Sequence, residues 1–173
     1  MTQLIAMMTL SKRPVSAIVL MFVITAFAGP AYAQLRALNA ELTPTVPEGQ
    51  VFRAGAKGTV TLKVKLPETV HVQSDKPLDK SLIPTALTIE PPPGLKIEKI
   101  VYPVATKLKQ EGQTQPLAVF GHEFTITVHL AVAANAPAGE LSVPAQLRYQ
   151  ACDEFMCYPP KRADTKWAIR ITS

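Results

Sequence analysis

Hydrophobic and polar residues alternate with a period of two along much of the chain after residue 34. The alternation is clearest in residues 59–66, 123–130 and 141–149, and it returns at Trp167, Ile169 and Ile171. Because successive side chains of a β-strand point to opposite faces, the pattern predicts antiparallel strands with one face on a core and one in water. Shorter candidate strands are residues 70–73, 86–89 and 95–102.

Turn-forming residues separate these segments, as in Pro91-Pro92-Pro93-Gly94, and no helical pattern follows residue 33. The 16 prolines among 173 residues also count against an all-helical protein, because an interior proline removes a helical hydrogen bond and clashes with the preceding turn. We therefore predict an all-β fold, an immunoglobulin-like antiparallel β-sandwich of seven to eight strands, with a small barrel as the alternative.

The first 33 residues have a different composition. Lys12 and Arg13 precede an apolar run over residues 15–28, and small residues follow up to Ala33. This order predicts a secretory signal peptide, residues 1–33, cleaved after Ala33, with an uncleaved anchor as the alternative. The run is shorter than the roughly 20 apolar residues that span a membrane. Residues 34–173 are then predicted to be one exported, periplasmic domain with no membrane span.

Charge and motifs exclude several functions. The formal charge of +5 includes Lys12 and Arg13, so the exported part carries +3, and its basic residues are scattered rather than clustered with aromatic residues. Nucleic-acid binding therefore has no support. The sequence lacks a glycine-rich phosphate loop, a Cys-x-x-Cys or His-x-x-x-His spacing and a Gly-x-Ser-x-Gly turn. We accordingly predict no cofactor and no metal.

The two cysteines, Cys152 and Cys157, are the remaining candidates for chemistry. The alternation sends Tyr149 and Ala151 inward, so Cys152 is expected to point to the outer face at the end of its strand. Four intervening residues are enough for a turn that brings Cys157 back beside it, and the spacing permits a disulfide at the surface. Two interpretations remain open: a structural clamp, or a labile bridge that another thiol can reach.

The segment around the cysteines, Tyr149-Gln150-Ala151-Cys152 followed by Cys157-Tyr158-Pro159-Pro160, resembles a known family. It is similar to the amino-terminal periplasmic domain of the thiol:disulfide interchange protein DsbD, also called the disulfide bond corrector family. Weaker similarity lies in His71-Val72-Gln73-Ser74 and in Val119-Phe120-Gly121. The resemblance implies an immunoglobulin-like sandwich whose two cysteines cycle between dithiol and disulfide, passing electrons from a membrane-embedded donor to thioredoxin-like periplasmic oxidoreductases.

Carried over to this chain, the resemblance implies that Cys152 and Cys157 are the redox pair of a thiol:disulfide interchange (oxidoreductase) activity. It also implies a cap loop at Val119, Phe120 and Gly121, in which the ring of Phe120 shields the cysteines. The partners expected are thioredoxin-like oxidoreductases and a membrane electron donor on another chain. Where the family carries tyrosines and acidic residues near its cysteines, the matching positions here hold His71, Gln73 and Leu117.

Two other functions remain as alternatives to electron transfer. The first is a non-enzymatic exported binding module in which the disulfide is a permanent clamp. The second is a copper-handling domain that uses both cysteines with Met156 and a histidine, since soft sulfur ligands suit Cu(I).

Overall fold

The structure is a computed structural model that describes residues 43–45 and 49–173. The described residues form β-strands and no helix, which confirms the predicted all-β, immunoglobulin-like sandwich. Within the same ranges, no helix is long and apolar enough to cross a membrane. The predicted signal peptide, residues 1–33, lies outside the described residues.

The described part of the chain contains twelve strands. In chain order they are β1 Thr43–Thr45, β2 Gln50–Arg53, β3 Lys57–Lys65, β4 His71–Gln73, β5 Ala86–Ile89, β6 Leu95–Val101, β7 Thr106–Leu108, β8 Leu117–Phe120, β9 Glu123–Val132, β10 Gly139–Tyr149, β11 Ala151–Cys152 and β12 Lys161–Thr172. The seven strands predicted from the sequence are all present, and the five additional ones have four residues or fewer.

The strands form three four-stranded sheets, with the orders β1-β3-β9-β6, β2-β12-β10-β5 and β11-β4-β8-β7. The long strands of the first two sheets alternate between buried and more exposed positions, as the sequence pattern predicts. Neighbouring strands pair antiparallel except β2 and β12, which run parallel. This one parallel pairing involves β2, a strand that the sequence pattern does not predict.

The main core contains the apolar faces of the first two sheets. Its fully buried side chains include Leu62 and Ile126 from one sheet and Leu147 and Ile169 from the other. Because each strand contributes every second residue, the polar residues between them face solvent. Packing of these faces supplies most of the apolar burial that stabilises the fold.

The third sheet positions the cysteines. After Tyr149 the chain leaves β10, passes Gln150 and enters β11, which pairs with β4 of the third sheet. On one face of this sheet, Val72 lies opposite Phe120, and both join the main core. On the other face, Val119 and Cys152 form a second, smaller cluster with Leu117. The third sheet thus separates the main core from the cysteine site.

Candidate functional site

A disulfide joins Cys152, the last residue of β11, to Cys157, with Cα atoms 4.0 Å apart. The two residues also form an isolated antiparallel bridge, so the chain reverses within residues 153–156. The predicted pairing of the two cysteines across a short turn is therefore confirmed.

The turn between the cysteines is fixed by Asp153. Its Oδ1 accepts hydrogen bonds from the main-chain N–H groups of Phe155, at 2.8 Å, and Met156, at 2.9 Å. Its Oδ2 accepts a hydrogen bond from the Tyr158 hydroxyl at 2.7 Å. An aspartate that accepts N–H groups two and three residues ahead stabilises a tight turn. Because Tyr158 is buried, its hydroxyl also ties the turn to the body of the fold.

A second element, the loop between β7 and β8, holds the turn from outside. The Gln110 side chain donates from Nε2 to the Asp153 main-chain oxygen at 2.9 Å. The Glu111 main-chain N–H donates to the Glu154 main-chain oxygen, also at 2.9 Å. These contacts link the cysteine turn to a loop more than 40 residues earlier in the chain.

The two cysteines differ in exposure. Cys152 is 0% exposed, whereas Cys157 is only partly buried. The expectation that Cys152 lies at the surface is therefore wrong. Its side chain does leave the main core, but Val119 and Leu117 of β8 cover it on the opposite face of the third sheet.

A groove of about 550 Å³ borders the disulfide on the side of Cys157. Its wall includes apolar side chains that are unusually exposed for their size: Leu78 at 61%, Phe155 at 53% and Met156 at 46%. Leu82 and Leu117 extend the apolar part of the wall, and Gln110 and Gln113 contribute polar groups. A pocket with apolar walls and a few polar groups is the usual form of a binding site, and the cysteine that lines this one is Cys157.

Two polar residues of β4 lie beside the disulfide. Gln73 is fully buried, and its Nε2 lies 3.2 Å from the Sγ of Cys152 and 3.6 Å from the Sγ of Cys157. His71 lies opposite Cys152 in the strand register, and its Nδ1 is buried without a hydrogen-bond partner among the described residues. Burial lowers the pKa of His71 and the nearby His122 lowers it further, while Glu154 acts in the opposite direction.

The sequence marked Gln73 as a position in the family motif but indicated no contact with the sulfurs. One signal was present: a glutamine at the end of a short strand, on the same side as Val119, is an unusual residue for a covered sheet face. The contact itself depends on strand register, which the sequence pattern does not define.

The expected cap-loop residues separate in the structure. Val119 lies in the small cluster with Cys152. Phe120 is only 2% exposed and belongs to the main core, where its ring stacks on Tyr102 and packs against Phe124. Gly121 follows β8 and is partly buried. In this structure Phe120 therefore occupies the position of a core residue, on the far side of the third sheet from Cys152.

Residues 43–45 and 49–173 contain no group of three or more His, Cys, Asp or Glu residues that is arranged to hold a metal ion. In the oxidised form both cysteine sulfurs are committed to the disulfide.

Comparison with known proteins identifies a family. Residues 41–168 match the family described as thiol:disulfide interchange protein DsbD, N-terminal. Among solved structures, the chain is similar to the reduced N-terminal domain of DsbD from Neisseria meningitidis, with 16% identity over 72% of this chain and 82% of that one and a TM-score of 0.45.

A type I cohesin–dockerin complex from Clostridium thermocellum contains a similar chain, with 13% identity over 76% of this chain and 99% of that one and a TM-score of 0.44. No curated protein matches. Because the family model covers most of the sequence, including both cysteines and the third sheet, this chain belongs to the DsbD N-terminal domain family.

Proposed function

We propose that this protein is a periplasmic thiol–disulfide interchange domain that carries electron pairs through Cys152 and Cys157. The observation that carries the proposal is the unequal exposure of the two cysteines at an apolar groove. A purely structural clamp needs neither an accessible sulfur nor an open binding surface beside it. Membership of the DsbD N-terminal family supports the same function.

The more exposed of the two cysteines, Cys157, determines the order of events. A thiolate of a reduced partner enters the groove and attacks the Sγ of Cys157, since Cys152 is buried. The Cys152–Cys157 bond breaks, its electron pair moves to the Sγ of Cys152, and a mixed disulfide joins the partner to Cys157. The second thiolate of the partner then attacks the partner's own sulfur in that mixed disulfide and releases Cys157. The partner ends as a disulfide, and the two protons of its thiols balance the two thiolates formed here.

The reverse sequence delivers the electrons. Cys157 as thiolate attacks the disulfide of an oxidised partner, and Cys152 then attacks Cys157 and releases the reduced partner. We propose thioredoxin-like oxidoreductases as the acceptors and a membrane-embedded protein as the donor, as the family resemblance implies. The exposed side chains of Leu78, Phe155 and Met156 provide an apolar docking surface around the reacting sulfur.

The first experiment is the equilibrium reduction potential of the Cys152–Cys157 pair, measured by thiol trapping across a series of dithiothreitol or glutathione ratios. Exchange-active pairs have potentials of roughly −120 to −270 mV, whereas structural disulfides usually lie below about −300 mV. We expect a value in the higher range. A value well below it would replace the carrier by a binding module with a permanent clamp.

A matched pair of variants tests the order of attack. Cys152→Ser leaves the accessible Cys157 as a single thiol and is expected to accumulate a mixed disulfide with an oxidised thioredoxin-like protein. Cys157→Ser leaves only the buried Cys152 and is expected to accumulate far less under the same conditions. Non-reducing gel electrophoresis measures both. Equal trapping by the two variants would contradict the assignment of Cys157 as the attacked sulfur.

A further inference from the structure

Gln73 makes a contact with the disulfide that packing does not require. Its amide Nε2 lies 3.2 Å from the Sγ of Cys152 and 3.6 Å from the Sγ of Cys157. A disulfide sulfur carries no hydrogen and can act only as an acceptor. The amide N–H is therefore the donor, and its shorter hydrogen bond is to Cys152.

The backbone of Gln73 is held from both sides. Its N–H donates to the Gln150 main-chain oxygen at 2.9 Å, and its main-chain oxygen accepts a hydrogen bond from the buried Thr85 hydroxyl. Val119 lies opposite it in the strand register. These contacts fix the strand position from which the amide reaches the sulfurs, so the donor is in place before any reaction begins.

The carbonyl end of the Gln73 amide destabilises the folded protein. The Oε1 of Gln73 is buried and has no hydrogen-bond partner among the described residues. A buried polar atom without a partner destabilises the folded protein, because it loses its hydrogen bonds to water and gains none. Methionine or leucine would fill a similar volume without that cost. The presence of an amide here is explained by the one thing it does, which is to donate to sulfur.

We propose that Gln73 is a catalytic residue of the interchange reaction and stabilises Cys152 as the leaving sulfur. The inference rests on the proposed function and extends it. When a thiolate attacks Cys157 and the disulfide breaks, the electron pair and a full negative charge move to the buried Sγ of Cys152. The N–H of Gln73 already points at that atom, and a hydrogen bond to a charged acceptor is stronger than one to a neutral disulfide sulfur.

The Gln73 amide differs from an acidic side chain in its charge. A carboxylate beside a developing thiolate repels it and titrates with pH, whereas the amide is uncharged and donates over the whole physiological range. Gln73 therefore favours the thiolate without making the reaction depend on the protonation of a neighbouring acid.

The test is the reduction of the disulfide by a small thiol, which needs no protein partner. Gln73→Met keeps the length of the side chain and removes the donor. Dithiothreitol is expected to reduce this variant about tenfold more slowly, the effect of losing one hydrogen bond to a charged group. In a Cys157→Ser background, the pH midpoint of Cys152 alkylation by iodoacetamide is expected to move upward, which a merely structural role of Gln73 would not produce.

Gln146→Met is the control. Gln146 lies in β10 of the second sheet, outside the groove, and its amide donates to Asp164 Oδ1 at 2.8 Å. We expect its reduction rate to stay within about twofold of the wild-type rate, since neither sulfur loses a donor. Equal slowing by Gln146→Met and Gln73→Met would overturn the proposal.

Gln73→Glu provides a second variant that keeps the shape of the side chain. Its reduction is expected to be slow at neutral pH and to recover relative to wild type as the introduced carboxyl becomes protonated and can donate. This variant tests the donor role of Gln73 if Gln73→Met does not fold. A wild-type rate in the variants at all pH values would remove the role of Gln73 while leaving the trapping experiments intact. A failure of partner trapping with Gln73→Met still slow would instead remove the proposed carrier function.

Discussion

At the scale of single residues, most residues around the cysteines make a contact that positions the disulfide or its strand. Gln150 accepts the Ile83 main-chain N–H at 2.8 Å and donates to the Tyr158 main-chain oxygen at 3.3 Å. Tyr158 in turn holds Asp153, which fixes the turn between the cysteines. Tyr149 and Ala151 point into the main core. The motif thus encodes both the anchoring of β11 and the shape of the disulfide turn.

Val119 and Phe120 are neighbours in β8 whose side chains lie on opposite faces. Substitutions at the two positions therefore separate the cover over Cys152 from packing in the main core. Val119→Ala removes part of the cover over Cys152, so we expect dithiothreitol to reduce the folded variant faster than wild type. Phe120→Leu removes ring contacts with Tyr102 and Phe124, so we expect a loss of about 1–3 kcal/mol in the free energy of unfolding. Its native-state reduction rate should change little.

Urea unfolding and reduction kinetics together measure both effects. If Phe120→Leu instead accelerated reduction while its stability stayed at the wild-type level, Phe120 would act as the lid that the family resemblance implies. The placement of its ring in the main core would then describe only one of its positions.

At the scale of secondary-structure elements, the long strands that the sequence predicts are those with one solvent face. In β3, β9 and β10 the polar positions face outward, and the period of two is visible. In β8 all four residues are buried, because the main core covers one face and the cysteine cluster the other. Alternation disappears when both faces are covered, so β8 and the site it builds could not be read from the pattern.

The direction of Cys152 illustrates the same limit. Alternation correctly sends its side chain away from the main core, opposite to Ala151. The pattern contains no information about what covers the other face, so it predicts that this face is exposed to solvent. The covering residues come from β8, more than 30 residues earlier, so their position depends on tertiary pairing.

Strand β4 gives the site a dependence on pH through His71. Burial and His122 lower the pKa of His71 below its ordinary value of 6.5, so in this region the unfolded chain binds a proton more readily than the folded one. The stability from neutral His71 is thus complete above pH 6.5 and is lost as pH falls through the lower folded-state pKa. We expect the free energy of unfolding to decrease in that range, and His71→Gln to decrease it less steeply.

Glu154→Gln provides the control for this prediction. Glu154 raises the pKa of His71, so its neutralisation is expected to lower that pKa further and to steepen the loss of stability at acidic pH. Urea unfolding at a series of pH values measures all three proteins. Identical slopes for wild type and His71→Gln would show that His71 does not contribute to the pH dependence.

At the scale of the whole molecule, the first two sheets meet near the end at which β2 enters the fold. Phe52 of β2 lies in the second sheet, paired with Ile171, and its ring packs against the main core. Gly58 of β3 lies in the first sheet, opposite Leu130. The Phe52 ring occupies the space where a side chain at position 58 would begin. The absence of a Cβ at Gly58 therefore allows the two sheets to approach.

This close approach makes Gly58→Ala a test of how the sandwich is assembled. The added methyl would overlap the Phe52 ring, and overpacking of this kind costs about 1–3 kcal/mol in the free energy of unfolding. Gly121→Ala is the matched control, since position 121 has open space for a Cβ and no positive φ, so we expect little change. A second substitution, Phe52→Leu, should recover part of the loss in Gly58→Ala, because the two residues share one contact and their effects are not additive. If Gly58→Ala unfolded at the same urea concentration as Gly121→Ala, the ring of Phe52 would have to lie elsewhere, and the contact that joins β2 to the first sheet would be absent.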